Sequence, residues 1–170
     1  YLDEGVAIAI IGKAEPDYEM FLRQKIRDLG LEHKIFLLKP VPPAEVWQYT
    51  ASAHCGLIVH LPISLNFQLN VGATNKLYEY FMAGIPVLAP NYPGYPELIE
   101  GEQVGKCVDP HDPRAIAQAI HAIVADDEQW ENMRRRALQL AKDRFNWEID
   151  GGKFLRTVHE LVQKKTKPSD

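Results

Sequence analysis

The chain has 170 residues, 46% of them hydrophobic and 25% charged, which are ordinary globular proportions with mass enough for one sizeable core. A formal charge of −4 supplies no basic stripe, so neither nucleic acid nor an anionic membrane surface is favoured as a partner. Cys55 and Cys107 lie far apart inside apolar runs without C-x-x-C or Cys/His spacing, which argues against a disulfide or zinc role and for small buried hydrophobes in a reducing compartment.

Taken in order, the chain repeats one unit: an apolar run, a turn, a helical period. VAIAIIG, residues 6–12, reads as a strand buried on both faces, as in parallel sheets. Such a strand starting so early gives the expectation of a chain cut from a longer fold. Pro16 to Gly30 predicts a helix with Met20, Phe21, Ile26 and Leu29 on one face and Gly30 at its C-terminal stop. KIFLLK, 34–39, predicts a second strand, and Pro42 and Pro43 open a helix where a missing N–H is harmless. CGLIVHL, 55–61, predicts the third strand, IPVLAP, 85–90, the fourth, and VGKCVD, 104–109, the fifth, with a short helix over 95–100. Strands separated by helices need crossovers, so the sheet should be parallel and covered on both faces.

Beyond Asp109 only helices are expected. Asp112 and Pro113 supply an N-cap and first-turn proline, followed by a stripe of Ile116, Ala119, Ile120, Ile123 and Val124. Helices from Asp127 to about Arg144 and from Trp147 to about Lys164 follow, then a polar tail. The expected fold is one doubly wound, Rossmann-like α/β domain over residues 1–170, with 145–170 as C-terminal helix and frayed tail. No apolar run approaches the ~18 residues of a membrane span and no signal-peptide pattern opens the chain, so a soluble, cytoplasmic protein is expected.

In an open parallel sheet, ligands bind beyond the carboxyl ends of the strands. The loop after Leu61 is the longest strand-to-helix connection and leads into GATNKLYEYFMAGIPV, residues 72–87. Thr74 or Asn75 can cap that helix, whose first N–H groups are unsatisfied donors at the positive end of the helix dipole. Lys76 opposes the dipole, which suggests a compensating anion, and Glu79 lies one turn on, at i+4 from Asn75. An anion seat with a carboxylate one turn away suits a nucleotide, whose vicinal ribose hydroxyls can both donate to Glu79. The alternative is an exposed Lys76–Glu79 pair of a few tenths of a kcal/mol. Leu77, Tyr80, Phe81 and Met82 are expected on the apolar face. The six histidines show no ligand spacing; His60 reads as a satisfied core or rim residue, Arg134, Arg135 and Arg136 as a solvated face, and Trp47, Trp130 and Trp147 as core or packing anchors.

TNKLYEYFMAGIPVLAPNYPGYPELIE, followed by VGKCVDPHDPRAIAQAI, resembles the donor-binding C-terminal domain of retaining GT-B-fold glycosyltransferases, group 1, family 4 type. The likeness extends upstream through Gly12, the strand and proline-bearing loop at 34–43 and CGLIVHLPISLNF, and downstream to RFNWE and the last helix, which in such enzymes packs back toward the partner domain. It implies a GT-B C-terminal domain lacking its first strand-helix unit, with an N-terminal acceptor domain absent from the chain. It implies transfer, with retention, of a sugar from a UDP-, GDP- or TDP-sugar to a sugar or lipid-linked acceptor in polysaccharide or glycolipid synthesis. No metal or other cofactor is expected, since the fold is metal-independent and no Asp-x-Asp is present. Peripheral contact of the parent protein with the inner face of the membrane is left open.

Carried over by position, Glu79 matches the second of the family's two acids, the one at the ribose, whereas the first falls on Val71. Sugar contacts are then left to backbone N–H groups around Ala73 and Thr74, or to Asn66 and Gln68. Lys39 and Val41 match the region lining the nucleobase. The family's diphosphate-clamping basic residues fall upstream of Tyr1, leaving Lys76 and, with Gly12, Lys13. Two other classes stay open: a nucleotide-sugar epimerase of the same fold, and a non-catalytic nucleotide-sugar-binding module, which Val71 favours. A dinucleotide oxidoreductase is disfavoured because GKAEPD is not G-x-G-x-x-G. Loss of a central parallel strand leaves two open edges, so the chain alone is expected to be poorly stable and inactive; one cooperative, high-temperature transition in scanning calorimetry would contradict this.

Overall fold

Every strand pairing among the described residues is parallel, as strands joined through helices require. The computed structural model describes the chain except Asp3, Asn70 and residues 167–170, together with the side chains of residues 164–166. It resolves into two units, residues 1–52 and 53–170.

In the first unit, β1 (Ile8–Ile11) pairs with β2 (Ile35–Leu38), Ile8 opposite Ile35 and Ile11 opposite Leu38. α1 (Pro16–Asp28) connects them and α2 (Pro43–Ala51) follows. Gly30 ends α1 as expected: its N–H donates to the Arg27 carbonyl and that of Leu31 to the Ile26 carbonyl, each at 2.9 Å. The apolar face of α1 differs from the expectation. Met20 and Phe21 are 63% and 52% exposed, and Leu29 is exposed, while Leu22 and Ile26 are half-buried. The i,i+4 pair Leu22/Ile26 turns inward. Tyr18 stacks on Phe21 at 6.1 Å and Lys25 lies 5.9 Å from that ring, so these aromatics cover one another on the outer surface. Trp47, 64% exposed, is not the anchor its sequence setting suggested.

The second unit holds β3 (Gly56–Leu57), α3 (Leu65–Gln68), α4 (Asn75–Ala83), β4 (Val87–Pro90), α5 (Tyr95–Ile99), β5 (Gly105–Val108), α6 (Pro113–Val124), α7 (Asp127–Asp143) and α8 (Trp147–Thr166). β4 lies between β3 and β5, and all four of its residues are buried, as an apolar run flanked by strands on both sides should be. Leu77 and Phe81 of α4 join Val87, Tyr95, Ile99 and Val104 in the core. Met82, expected with them, is instead exposed, because it lies on the arc of α4 with Asn75 and Glu79. Asp112 caps α6 by accepting from the N–H of Arg114 at 2.8 Å and of Ala115 at 3.1 Å; Asp126 does the same for α7.

α7 closes over the end of α4. Gly84 stops α4 with φ +64°, and a Cβ there would meet Leu138 Cγ at 2.7 Å. Arg134 Nε donates to the Gly84 carbonyl at 2.9 Å, with its guanidinium 4.7 Å from the Trp130 ring, and Trp130 Nε1 donates to the His54 carbonyl at 2.8 Å. Trp130 is therefore a packing anchor. Arg134 leaves the solvated-face reading, since it satisfies a carbonyl at the negative end of a helix; Arg135 and Arg136 remain exposed. Trp147 is 75% exposed, which removes it too from the anchors. Among the described residues no helix is long and apolar enough to cross a membrane.

Cys55 and Cys107 are free thiols, half-buried. Burial pushes the Cys55 thiol up to about 12 and the Tyr80 hydroxyl up to about 12, the latter helped by its closeness to Cys55. Both groups stay neutral in the folded chain where the unfolded chain would ionise them, above their ordinary values of 9.0 and 10.0. The stability they protect is whole at lower pH and is lost as pH rises from about 9 towards 12. Urea-unfolding midpoints should fall steadily from pH 9 upward and fall less steeply in Tyr80→Phe; a flat profile would contradict the burial of these groups. Gly84→Ala should destabilise the fold by about 2 kcal/mol, through both left-handed strain and overpacking. A Leu138→Ala background should relieve part of that loss, and strict additivity in the double-mutant cycle would contradict the contact.

Candidate functional site

The carboxyl ends of β3, β4 and β5 present His60, Tyr92 and Asp109 along one edge of the sheet. His60 Nε2 donates to the Phe67 carbonyl at 2.7 Å, and Tyr92 Oη donates to the His60 carbonyl at 2.9 Å. The His60 ring lies 5.3 Å from Phe67 and 5.7 Å from Tyr92. His60 is thus a satisfied rim histidine that ties the end of β3 to α3. Burial, with the nearby Asp109 charge, raises the Tyr92 hydroxyl. The His111 N–H holds the Asp109 carboxyl below its ordinary value, with the His111 ring assisting at 3.0 Å.

The long connection from β3 ends in a turn over residues 71–74 and then α4. Val71 is half-buried against the core, and Gly94 approaches it so closely that a Cβ at Gly94 would lie 2.5 Å from Val71 Cγ1. Gly72 has φ +79°, and its carbonyl accepts from Tyr78 Oη at 2.6 Å. The Tyr78 ring packs on Phe145 with centroids 5.4 Å apart, and burial raises its hydroxyl, with Asp150 adding to the effect. Thr74 takes the N-cap position, but its side chain makes no capping bond among the described residues.

The structure gathers Ala73, Thr74, Asn75, Lys76 and Glu79 on one turn and a half of backbone, with Asn75, Lys76 and Glu79 exposed. Among the described residues neither Lys76 nor Glu79 has an ion-pair partner. Asn66 sits on α3, exposed, earlier in the same connection. In the first unit, the β1–β2 register sets Gly12 and Lys39 side by side just beyond Ile11 and Leu38. Lys13 is exposed there and Val41 half-buried. Each unit therefore collects its own predicted residues at the carboxyl edge of its own sheet.

An open groove of about 860 Å³ runs along the Tyr78–Met82 side of α4, bordered by Phe145, Trp147, Ile149 and Asp150. It contains none of the predicted site residues, since Lys76 and Glu79 occupy the other flank of the helix's exposed arc. Among the described residues no three His, Cys, Asp or Glu side chains converge as a metal site. Sequence reading missed Tyr78 and Tyr92.

The sequence model of the family described as "Glycosyl transferases group 1" matches residues 2–140. D-inositol 3-phosphate glycosyltransferase of Corynebacterium glutamicum is 32% identical over 140 residues, covering 82% of this chain and 31% of that protein. Probable sucrose-phosphate synthase 5 of Oryza sativa is 36% identical over 95 residues, 51% of this chain and 9% of that one. The chain thus spans about a third of the first relative's length and far less of the second's. Among solved structures, Anabaena HepE in complex with UDP superposes with a TM-score of 0.79 at 22% identity, covering 94% of this chain and 42% of that chain. The fold is that of GT-B glycosyltransferases. HepE has also been solved with UDP-glucose, a structure matched here with a TM-score of 0.75 at 21% identity over 94% of this chain and 42% of that one.

Proposed function

The chain belongs to the glycosyl transferases of group 1, and on that premise we propose that it is the donor-binding part of an enzyme moving a sugar from a nucleoside diphosphate to an acceptor. The observation that carries this reading is Glu79: an exposed carboxylate without an ion-pair partner among the described residues, one helical turn beyond the start of α4. In this role Glu79 accepts from both ribose hydroxyls. The N–H groups of Ala73, Thr74 and Asn75, backed by the helix dipole, face the diphosphate and sugar, and Lys76 adds a positive charge where a cation is otherwise unfavourable.

The chemistry follows from that placement. When the bond from the anomeric carbon to the diphosphate oxygen breaks, negative charge grows on the phosphates, and oriented N–H donors with a cation favour its departure without a metal ion. Gly12, Lys13, Lys39 and Val41 are proposed to receive the nucleobase and outer phosphate, with Asn66 toward the sugar. The acceptor, a sugar or lipid-linked chain, is assigned to a separate domain of a larger protein. Retention of anomeric configuration, a role in polysaccharide or glycolipid synthesis, and cytoplasmic action with peripheral membrane contact belong to the same proposal. Val71, an apolar residue at the family's first acidic position, favours one second reading: a module that binds the nucleotide sugar without catalysing its transfer.

Calorimetric titration of the longest polypeptide carrying this sequence with UDP, GDP and TDP tests the reading. One nucleotide should bind, and Glu79→Ala should weaken it about tenfold, the loss of one or two charge-assisted hydrogen bonds. Absence of binding by all three would leave only the fold resemblance.

A further inference from the structure

The connection between β3 and α4 carries a ledge of large apolar side chains. Leu61, Ile63, Leu65, Phe67 and Leu69 are all exposed, Ile63 at 76% and Leu65 at 66%. The backbone beneath them is folded on itself: the Ile63 N–H donates to the Leu61 carbonyl at 2.8 Å, and those of Phe67 and Leu69 donate to the Ser64 and Leu65 carbonyls at 3.1 and 3.0 Å. His60 Nε2 holds the Phe67 carbonyl at 2.7 Å, and its ring lies against those of Phe67 and Tyr92. Hydrogen bonds therefore give the segment that presents these side chains a set shape.

From Val46 to Asn75 there is no Asp, Glu, Lys or Arg. No cation is present to meet a phosphate headgroup or an acidic polymer, and no carboxylate to meet a basic partner. The complement of such a surface is uncharged hydrocarbon, and exposed apolar patches of this kind mark ligand grooves or partner surfaces. Its place narrows the occupant further, because the same connection carries Asn66 and leads into α4, at whose start the donor is proposed to sit.

We propose that the ledge receives the aliphatic chain of a lipid-linked acceptor, laid along Ile63, Leu65 and Phe67. The proposal rests on the donor-site reading and adds the acceptor's class: a sugar carried on hydrocarbon, in place of a free sugar or a soluble polymer. The acceptor's polar end stays with the separate domain assigned to it, and its chain is read here. Affinity then grows with the number of methylenes taken out of water.

Decyl maltoside, below its micelle-forming concentration, stands in for a sugar on a single chain, and is titrated calorimetrically into the longest polypeptide carrying this sequence. It should bind at least about tenfold more tightly than maltose and about fivefold more tightly than octyl maltoside, which lacks two methylenes. Ile63→Gln combined with Leu65→Gln, both at exposed positions, should weaken decyl maltoside about tenfold and leave the Kd of whichever of UDP, GDP and TDP binds within about twofold. Met82→Gln, at an exposed apolar residue off the ledge, should leave both unchanged. Decyl maltoside bound no better than maltose, or bound alike by wild type and the double variant, overturns the proposal, as does an equal loss in Met82→Gln, which marks indiscriminate adsorption. Two other occupants have their own signatures. Cosedimentation with phosphatidylcholine vesicles without binding of monomeric decyl maltoside assigns the ledge to a bilayer, and a wild-type dimer that the double variant turns into monomers in sedimentation velocity assigns it to a second copy; either overturns the proposal. Binding of no nucleotide by the wild type fells the donor-site reading and the acceptor role with it, an outcome that the decyl maltoside arm keeps separate from failure of the ledge.

Discussion

The burial of Leu77 and Phe81 beneath α4 is the constraint on which the second unit turns. Once those two side chains enter the core, helical geometry leaves no choice for the residues between and before them: Asn75, Lys76 and Glu79 must come out on the opposite arc. The end of the helix is fixed with equal firmness, since Gly84 admits Leu138 and its carbonyl takes a hydrogen bond from Arg134. A chemically exposed first turn is thus carried on a helix whose far end cannot shift. That is the arrangement a binding surface needs: exposed groups on a rigid element, placed by packing behind them.

Much of this was legible in the sequence, and the reasons differ by element. The strands announced themselves as continuous apolar runs, and β4 is buried at every residue, but β1 and β2 depart from the expected burial on both faces, with Ile10, Phe36 and Leu38 exposed. α6 was legible through its cap, because Asp112 accepts from the first-turn N–H groups; the matching cap of α7 by Asp126 came only with the structure. The family resemblance was carried by the stretch from Thr74 to Glu100 and by VGKCVDPHDPRAIAQAI after it, where a helix start, an exposed acid, a glycine stop and a buried strand follow one another at fixed spacing. What escaped reading was decided by tertiary partners. Met20, Phe21 and Trp47 are apolar enough for a core, but only packing settles which arc of a helix turns inward. Arg134 looked like one of three equivalent arginines until the carbonyl of Gly84, distant in sequence, singled it out. Tyr78 and Tyr92 were hidden for the same reason, since a hydroxyl's partner is a backbone carbonyl that no residue pattern reveals.

Val71 shows where resemblance and physical reading part. By position it replaces an acid; by contact it is a piece of packing between the turn and Gly94. The two descriptions predict different chemistry for the same atom positions, and the second follows from distances within this chain. A departure from a family pattern is more informative when the new residue has acquired a contact than when it merely lacks a function.

From Val46 to Asn75 the chain carries no Asp, Glu, Lys or Arg, and within that span Leu61, Ile63, Leu65, Phe67 and Leu69 are all exposed. Their alternation is the period of a strand, and the uncharged, proline-free segment from Ile63 to Leu69 has the composition of a cross-β template. The helical turn of α3 and the hydrogen bond from His60 to the Phe67 carbonyl hold its backbone out of the extended state. The same atoms that shape the approach to α4 therefore act as a guard against self-association, and whatever loosens them exposes a sticky ribbon with no charge to keep copies apart.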